Sequence, residues 1–281
     1  MASLTDTQVQ HFNDYGFVQV DDIFDPVKVL DPVIEEYKGV LDRLADELFA
    51  VGEISSRYED LPFGERVTQI YGETGRVHSQ FFDFSLPFMG VSEDTPFWTG
   101  PAVFNAFINE PLLDAIESLI GPEIYSNPVQ HVRIKPPEHR LPKNELGNPI
   151  IGPTAWHQDH GVVTEEADET EMLTVWFPLQ DTPVEKGPLK VVPGSHRGDL
   201  LTHCLDYPGN GKAFAGARQI PEHLFDSDGA VPLPVNRGGA VLMHKRTVHS
   251  SLSISRTAKF FGGLFFLYRE TRFLMVGECC L

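Results

Sequence analysis

Charge and composition exclude several classes of protein. The 281-residue chain carries 22 Lys and Arg against 40 Asp and Glu, a formal net charge of −18 at pH 7. This charge repels nucleic acids and anionic membrane surfaces, so we expect neither as a partner. No stretch reaches the roughly 18 apolar residues of a membrane span. The opening, MASLTDTQVQ, lacks the basic and apolar regions of a signal peptide, which predicts a cytoplasmic protein.

Helical signals dominate the first 125 residues. Apolar side chains recur at three- and four-residue steps over 31–50, which predicts an amphipathic helix lying on a core. Thr5 can cap a short helix that ends near residue 15, and a strand is expected at 17–20. A further helix fits 111–120, with Pro111 in its first turn.

After residue 125 the sequence pattern changes to short apolar segments separated by turn residues. This pattern predicts strands at 129–134, 172–179, 189–192 and 240–243. Short strands with some long loops are typical of a double-stranded β-helix, the jelly-roll or cupin-like core, here buttressed by the N-terminal helices. We therefore predict a mainly β protein with flanking helices. It forms one domain over 1–281, with the helical buttress and first strands at 1–125, the jelly roll at 126–270 and an atypical tail at 271–281.

Metal-ligating side chains concentrate in Trp156-His157-Gln158-Asp159-His160. On a strand His157 and Asp159 project from the same face, which supplies one imidazole and one carboxylate. The best third ligand is His249, which follows an apolar strand. Two histidines and one carboxylate on one side of a metal are typical of non-haem Fe(II) oxygenases. His-x-Asp alone fits a solvated loop equally well.

Two other histidines compete for the metal. On a regular strand His160 points away from Asp159, and His244 has the opposite parity from His249. A β-bulge could reverse either parity. We expect neither histidine to be a ligand.

The order of several motifs is similar to that of a known family. Gly187-Pro188-Leu189, the turn Pro193-Gly194-Ser195-His196 and Val248-His249 follow the His-Gln-Asp segment, and with them the chain resembles the phytanoyl-CoA dioxygenase family. The resemblance implies an Fe(II)- and 2-oxoglutarate-dependent dioxygenase that uses O2 and releases succinate and CO2. It implies His157, Asp159 and His249 as iron ligands. The intact Asp159 favours hydroxylation or desaturation of an aliphatic C–H over halogenation.

The resemblance also implies a cosubstrate pocket. Trp176, Ser251 and, with a looser alignment, His131 match positions that line the 2-oxoglutarate site in the family. Family members usually carry an Arg eleven residues after the last histidine, where this chain has Phe260. We predict that Arg256 or Lys259 partly replaces that guanidinium.

The substrate and two alternatives stay open at this stage. We expect a small organic substrate. Arg133, Lys135, Arg140 and Lys143 form a basic patch, which makes an anionic substrate a candidate. A solvated loop is the slightly favoured interpretation of that patch. Residues 209–228 could form a lid. One alternative is a cupin-like metalloenzyme that does not use 2-oxoglutarate, and the other is a catalytically impaired relative that binds or regulates. The sequence makes no prediction about the oligomeric state.

Overall fold

A computed structural model describes most of the chain. It covers residues 3–83, 92–94, 98, 100–126, 130–145, 147–163, 170–205 and 218–255, and the backbone of 261–270. Five α-helices lie in its first half: α1 (Asp6–Tyr15), α2 (Asp31–Ala50), α3 (Phe63–Thr74), α4 (Pro101–Phe107) and α5 (Glu110–Ile120). Thr5 caps α1 in a reciprocal capping box with Gln8, as its sequence predicts.

The strands form two main antiparallel sheets. They are β1 (Phe17–Val20), β2 (Ile124–Ser126), β3 (His131–Lys135), β4 (Met172–Pro178), β5 (Leu189–Val191), β6 (Cys204–Leu205), β7 (Arg218–Gln219), β8 (Val231–Leu233), β9 (Ala240–His244), β10 (His249–Ser251) and β11 (Phe261–Glu270). The large sheet has the order β1-β9-β4-β11-β2, and β3 also pairs with β11. The small sheet has the order β10-β5-β8, while β6 pairs with β7.

The large sheet separates two cores. Its outer face, which includes Val132, Val175 and Leu242, packs with the buried faces of the helices in one cluster. Its inner face carries Trp176 and Met243, which pack against residues of the small sheet such as Val191. Since strand side chains alternate between faces, each central strand serves both cores.

This architecture confirms the predicted fold class, a jelly roll buttressed from outside by N-terminal helices. The predicted strands at 17–20, 129–134, 172–179, 189–192 and 240–243 correspond to β1, β3, β4, β5 and β9. The proposed tail at 271–281 lies outside the described residues. None of the described helices has both the length and the apolar character to cross a bilayer.

Candidate metal centre

The two segments that carry the candidate ligands meet at the edge of the small sheet formed by β10. His157 and His249 form an antiparallel bridge in which each backbone N–H donates to the other residue's carbonyl, at 2.9 and 3.0 Å. His249 is the first residue of β10, whose partner β5 orders it from the other side. The prediction of a regular strand through the His-Gln-Asp segment is wrong, because a 3-10 turn, Asp159–Val162, begins at the carboxylate. Gln158 is still extended, so both side chains point the same way.

Three side chains converge at this point. The Nε2 atom of His157 lies 3.4 Å from Oδ1 of Asp159, and Nε2 of His249 lies 3.7 Å from the same oxygen. One ligand atom from each residue lies within 4.8 Å of the others. Among the described residues this is the single group of three or more His, Cys, Asp or Glu placed to hold a metal ion.

Hydrogen bonds orient each of these groups. The Nδ1 atom of His157 lies 2.8 Å from the Ala155 carbonyl, and Nδ1 of His249 lies 2.9 Å from the Thr247 carbonyl. These bonds fix the tautomer and direct both Nε2 atoms to the centre. Thr174 Oγ1 donates to Oδ2 of Asp159, which leaves Oδ1 facing the histidines. His249 is 1% exposed and its Nε2 has no hydrogen-bond partner among the described residues, which fits a nitrogen that ligates a metal.

Electrostatics hold Asp159 and His249 in the forms that bind metal. Burial alone would raise the pKa of Asp159, but His249, His157 and the Thr174 hydrogen bond together lower that pKa below its ordinary value. Burial, with His157 adding to it, lowers the pKa of His249 to about 4. At neutral pH the site therefore presents a carboxylate and a neutral imidazole, which are the ligand states a divalent ion needs.

Buried contacts outside the triad hold its backbone. Gln158 is fully buried, donates to the Arg246 carbonyl at 2.7 Å and accepts from the Leu201 N–H at 2.8 Å. Ser195, in the predicted turn at 193–196, accepts from the Val248 N–H at 2.9 Å. Both contacts fix residues next to the ligands in sequence.

The predicted cosubstrate residues lie around the same interior. Trp176 is 2% exposed, on the inner face of β4 two residues after Thr174. His131 lies on β3, with its Nδ1 3.4 Å from Oδ2 of Asp83, and burial lowers its pKa. Ser251 is buried in β10, two residues after His249. Arg256 and Lys259 lie outside the described residues, as does the 209–217 part of the predicted lid.

The interpretation of the basic patch as a solvated loop is wrong for its first half. Lys135 is 8% exposed. Arg133 and Lys135 alternate along β3 with apolar Val132 and Ile134, which face the helices. Arg133 and Lys135 therefore line the inner face. Arg140, in contrast, is exposed and pairs with Glu65 at 2.7 Å. The alternation of apolar and polar residues in 131–135 was the available signal.

Two further outcomes concern residues near the metal ligands. His160 and His244 are absent from the described cluster, as predicted. The His160 N–H donates to the Lys245 carbonyl at 3.0 Å, and His244 Nδ1 accepts from the Arg246 N–H at 3.0 Å. Sequence reasoning missed Thr174 and Asp83, because a Thr inside an apolar strand and an Asp far from the motif carry no pattern of their own.

Comparison with known proteins identifies the family. The family model described as Phytanoyl-CoA dioxygenase (PhyH) matches residues 12–258, which is most of the chain. The chain belongs to the phytanoyl-CoA dioxygenase family. This membership confirms the predicted enzyme class, a non-haem iron and 2-oxoglutarate-dependent dioxygenase, with Fe(II), 2-oxoglutarate and O2 as cofactors.

Two relatives and a solved structure are similar to this chain over different lengths. A zebrafish (Danio rerio) phytanoyl-CoA dioxygenase domain-containing protein 1 is 25% identical over 89% of this chain and 85% of its own length. The rat (Rattus norvegicus) protein of that name is 37% identical, but the match covers 28% of this chain and 27% of that protein. The crystal structure of EvdO2 from Micromonospora carbonacea var. aurantiaca has a TM-score of 0.56 at 18% identity, over 98% of this chain and 94% of that one, and shows the shared fold.

Proposed function

We propose that His157, Asp159 and His249 hold Fe(II), and that the protein couples 2-oxoglutarate decarboxylation to hydroxylation or desaturation of an aliphatic C–H in a small organic substrate. The observation that carries the proposal is the convergence of these three side chains, with a buried and unpartnered Nε2 on His249. Bound iron with 2-oxoglutarate supplies O2 activation, with succinate and CO2 as products. The surrounding residues bind and orient the substrate and the cosubstrate, and they exclude water from the site.

The proposal assigns each surrounding residue a task. Asp159 supplies negative charge against the cation, and Thr174 fixes which carboxylate oxygen faces it. Trp176, His131 and Ser251 line the cosubstrate site, since all three lie on inner faces of the two sheets. The sequence-based prediction that Arg256 or Lys259 contributes a cation to that site competes with Lys135, a buried cation on β3, for the same role.

For the substrate, charge on the inner wall favours an anionic small molecule. Arg133 lies on the inner face of β3, within a protein that is acidic overall. A Stutzerimonas stutzeri relative named a probable alpha-ketoglutarate-dependent hypophosphite dioxygenase, 28% identical over 49% of this chain and 47% of its own length, is consistent with an anion in a related site. The net charge of −18 supports action away from nucleic acids and anionic membranes, and the cytoplasm remains the proposed compartment.

Anaerobic titration tests the metal and the cosubstrate together. Fe(II) is added to the apoprotein, followed by 2-oxoglutarate, and the weak visible charge-transfer band of the bidentate chelate is recorded. We expect the band in the wild type and its loss in Asp159→Ala and His249→Ala. His223→Ala, at an exposed histidine, is the matched control and should retain the band.

Exposure of the loaded protein to air extends the test. Succinate measured by NMR should accumulate slowly without substrate, because decarboxylation can run uncoupled. Metal binding without the 2-oxoglutarate band would instead support a metalloenzyme that uses other chemistry. Weak metal binding with no succinate would support the catalytically impaired alternative, and either result contradicts the proposal.

A further inference from the structure

Lys135 is a buried lysine whose side chain reaches Ser251, two residues after His249. It ends β3 on the same face as His131 and Arg133, while Val132 and Ile134 face the helices. The lysine is 8% exposed. Its ammonium therefore lies between the two sheets rather than in solvent.

The ammonium donates a hydrogen bond to a neutral group. Lys135 Nζ donates to Ser251 Oγ at 2.6 Å, and the same oxygen accepts from the Thr154 N–H at 2.7 Å. Among the described residues no carboxylate lies within ion-pairing distance of Nζ. Burial, reinforced by Arg133, lowers the pKa of Lys135 to about 7, and Glu138 offsets only part of that effect. A buried cation without a counter-charge is costly, which makes an anionic ligand the natural partner.

The spacing between His249 and Ser251, the residue that Lys135 contacts, fits the length of 2-oxoglutarate. Ser251 follows His249 by two strand residues, which places the two roughly 6.6 Å apart along β10. The five-carbon chain of 2-oxoglutarate, with C–C bonds of about 1.5 Å, spans about 5 Å when extended. A molecule that binds the metal through its keto acid end can thus place its other carboxylate near Ser251 and Lys135.

We infer that Lys135, together with the Ser251 hydroxyl, binds the distal carboxylate of 2-oxoglutarate. The inference rests on the proposed function, because it assumes that the keto acid end lies at the His157, Asp159 and His249 site. It also accounts for Phe260 at the position where the family usually has Arg. The cation comes from β3 instead of from the segment after β10.

The test compares two ligands that differ only in the distal group. Dissociation constants for 2-oxoglutarate and for 2-oxopentanoate, which has a methyl in place of the distal carboxylate, are measured anaerobically with Fe(II)-loaded protein. We expect the wild type to prefer 2-oxoglutarate by about 10- to 100-fold, as for loss of a charged hydrogen bond. Lys135→Met should bind both ligands equally.

Matched variants separate the possible outcomes. Lys190→Met removes a cation that stacks on the Trp156 ring from β5, the strand paired with β10. This variant should keep the full preference for 2-oxoglutarate over 2-oxopentanoate. Arg256→Ala and Lys259→Ala, which test the competing prediction, should keep it as well. Lys135→Gln replaces Lys135→Met if the latter fails to fold, with the same expected loss.

Three results would overturn the inference. A preference that survives in both Lys135 variants places the anchor elsewhere, and Arg256→Ala or Lys259→Ala would then be the variant that abolishes it. A wild type that binds both ligands equally has no distal carboxylate anchor, although the proposed function stands. A wild type that binds neither ligand fails the proposed function itself, and the inference fails with it.

Discussion

At the scale of single residues, Thr174 decides how Asp159 is presented. Its hydroxyl donates to Oδ2, and both groups are buried, so water does not replace the bond easily. The hydrogen bond stabilises the ionised carboxylate and restrains its rotation. Such supporting contacts typically change metal affinity by about 10- to 100-fold when they are removed.

Substitution of Thr174 by Val tests this role with little change of shape. We expect Thr174→Val to fold and to bind Fe(II) about 10-fold more weakly, because Oδ2 loses its donor. Thr182→Val is the control, since Thr182 is also buried and donates to the Gln180 carbonyl at 3.0 Å. Anaerobic metal titration gives the two affinities, and equal affinities in both variants would contradict the assigned role.

At the scale of secondary structure, the corner between α1 and β1 joins the helical half to the site. Gly16 ends α1 with φ of 81°, in the left-handed region that favours glycine. Its carbonyl accepts from the His244 N–H at 2.9 Å and from Thr247 Oγ1 at 2.6 Å, in the segment that leads into His249. A Cβ added here would lie 2.4 Å from Nδ1 of His196.

We expect Gly16→Ala to lower the free energy of unfolding by more than Gly52→Ala. Gly52 also has positive φ, at 75°, but a Cβ there meets nothing within 4 Å. Gly52→Ala should cost about 1 to 2 kcal/mol for the backbone, and Gly16→Ala a further 1 to 3 kcal/mol for the steric clash. Urea denaturation measures both, and equal losses would show that the packing around His196 is loose.

Some elements follow from local signals and others do not. Helix α2 was predictable because its apolar face repeats for 20 residues, and α1 because of its capping box. Helix α3 escaped prediction, since Pro62 rather than a capping side chain precedes it and Gly64 and Gly72 interrupt it. Its buried residues, including Ile70 and Tyr71, show that tertiary packing stabilises it.

At the scale of the whole molecule, buried histidines couple stability to pH. Burial is the largest cause that lowers the pKa of His78, His244 and His249, each to about 4. The unfolded chain binds protons at these sites near pH 6.5, well before the folded protein does. Stability is therefore lost as pH falls from about 6.5 towards 4. Glu138, whose pKa is raised by burial, opposes this trend.

We expect the free energy of unfolding of the metal-free protein to decrease steadily between pH 6.5 and 4.5. Urea denaturation with a chelator present, at half-unit pH steps, gives the slope. His78→Gln should flatten the slope, because one of the three histidines no longer titrates. His223→Gln, at an exposed histidine, should leave the slope unchanged. A flat wild-type profile over this range would contradict the prediction.

The sequence by itself determined the family, several of the helices and strands, and the three candidate metal ligands. Those features depend on residue type and on spacing along the chain, as in His157 and Asp159. Tertiary structure decided which side chains support and complete the site. Thr174, Asp83 and Lys135 come from separate segments, and only sheet pairing and burial show that they face the same interior as His249. Burial also changes their chemistry, because a lysine on an exposed loop is solvated, whereas the same lysine between two sheets needs an anion.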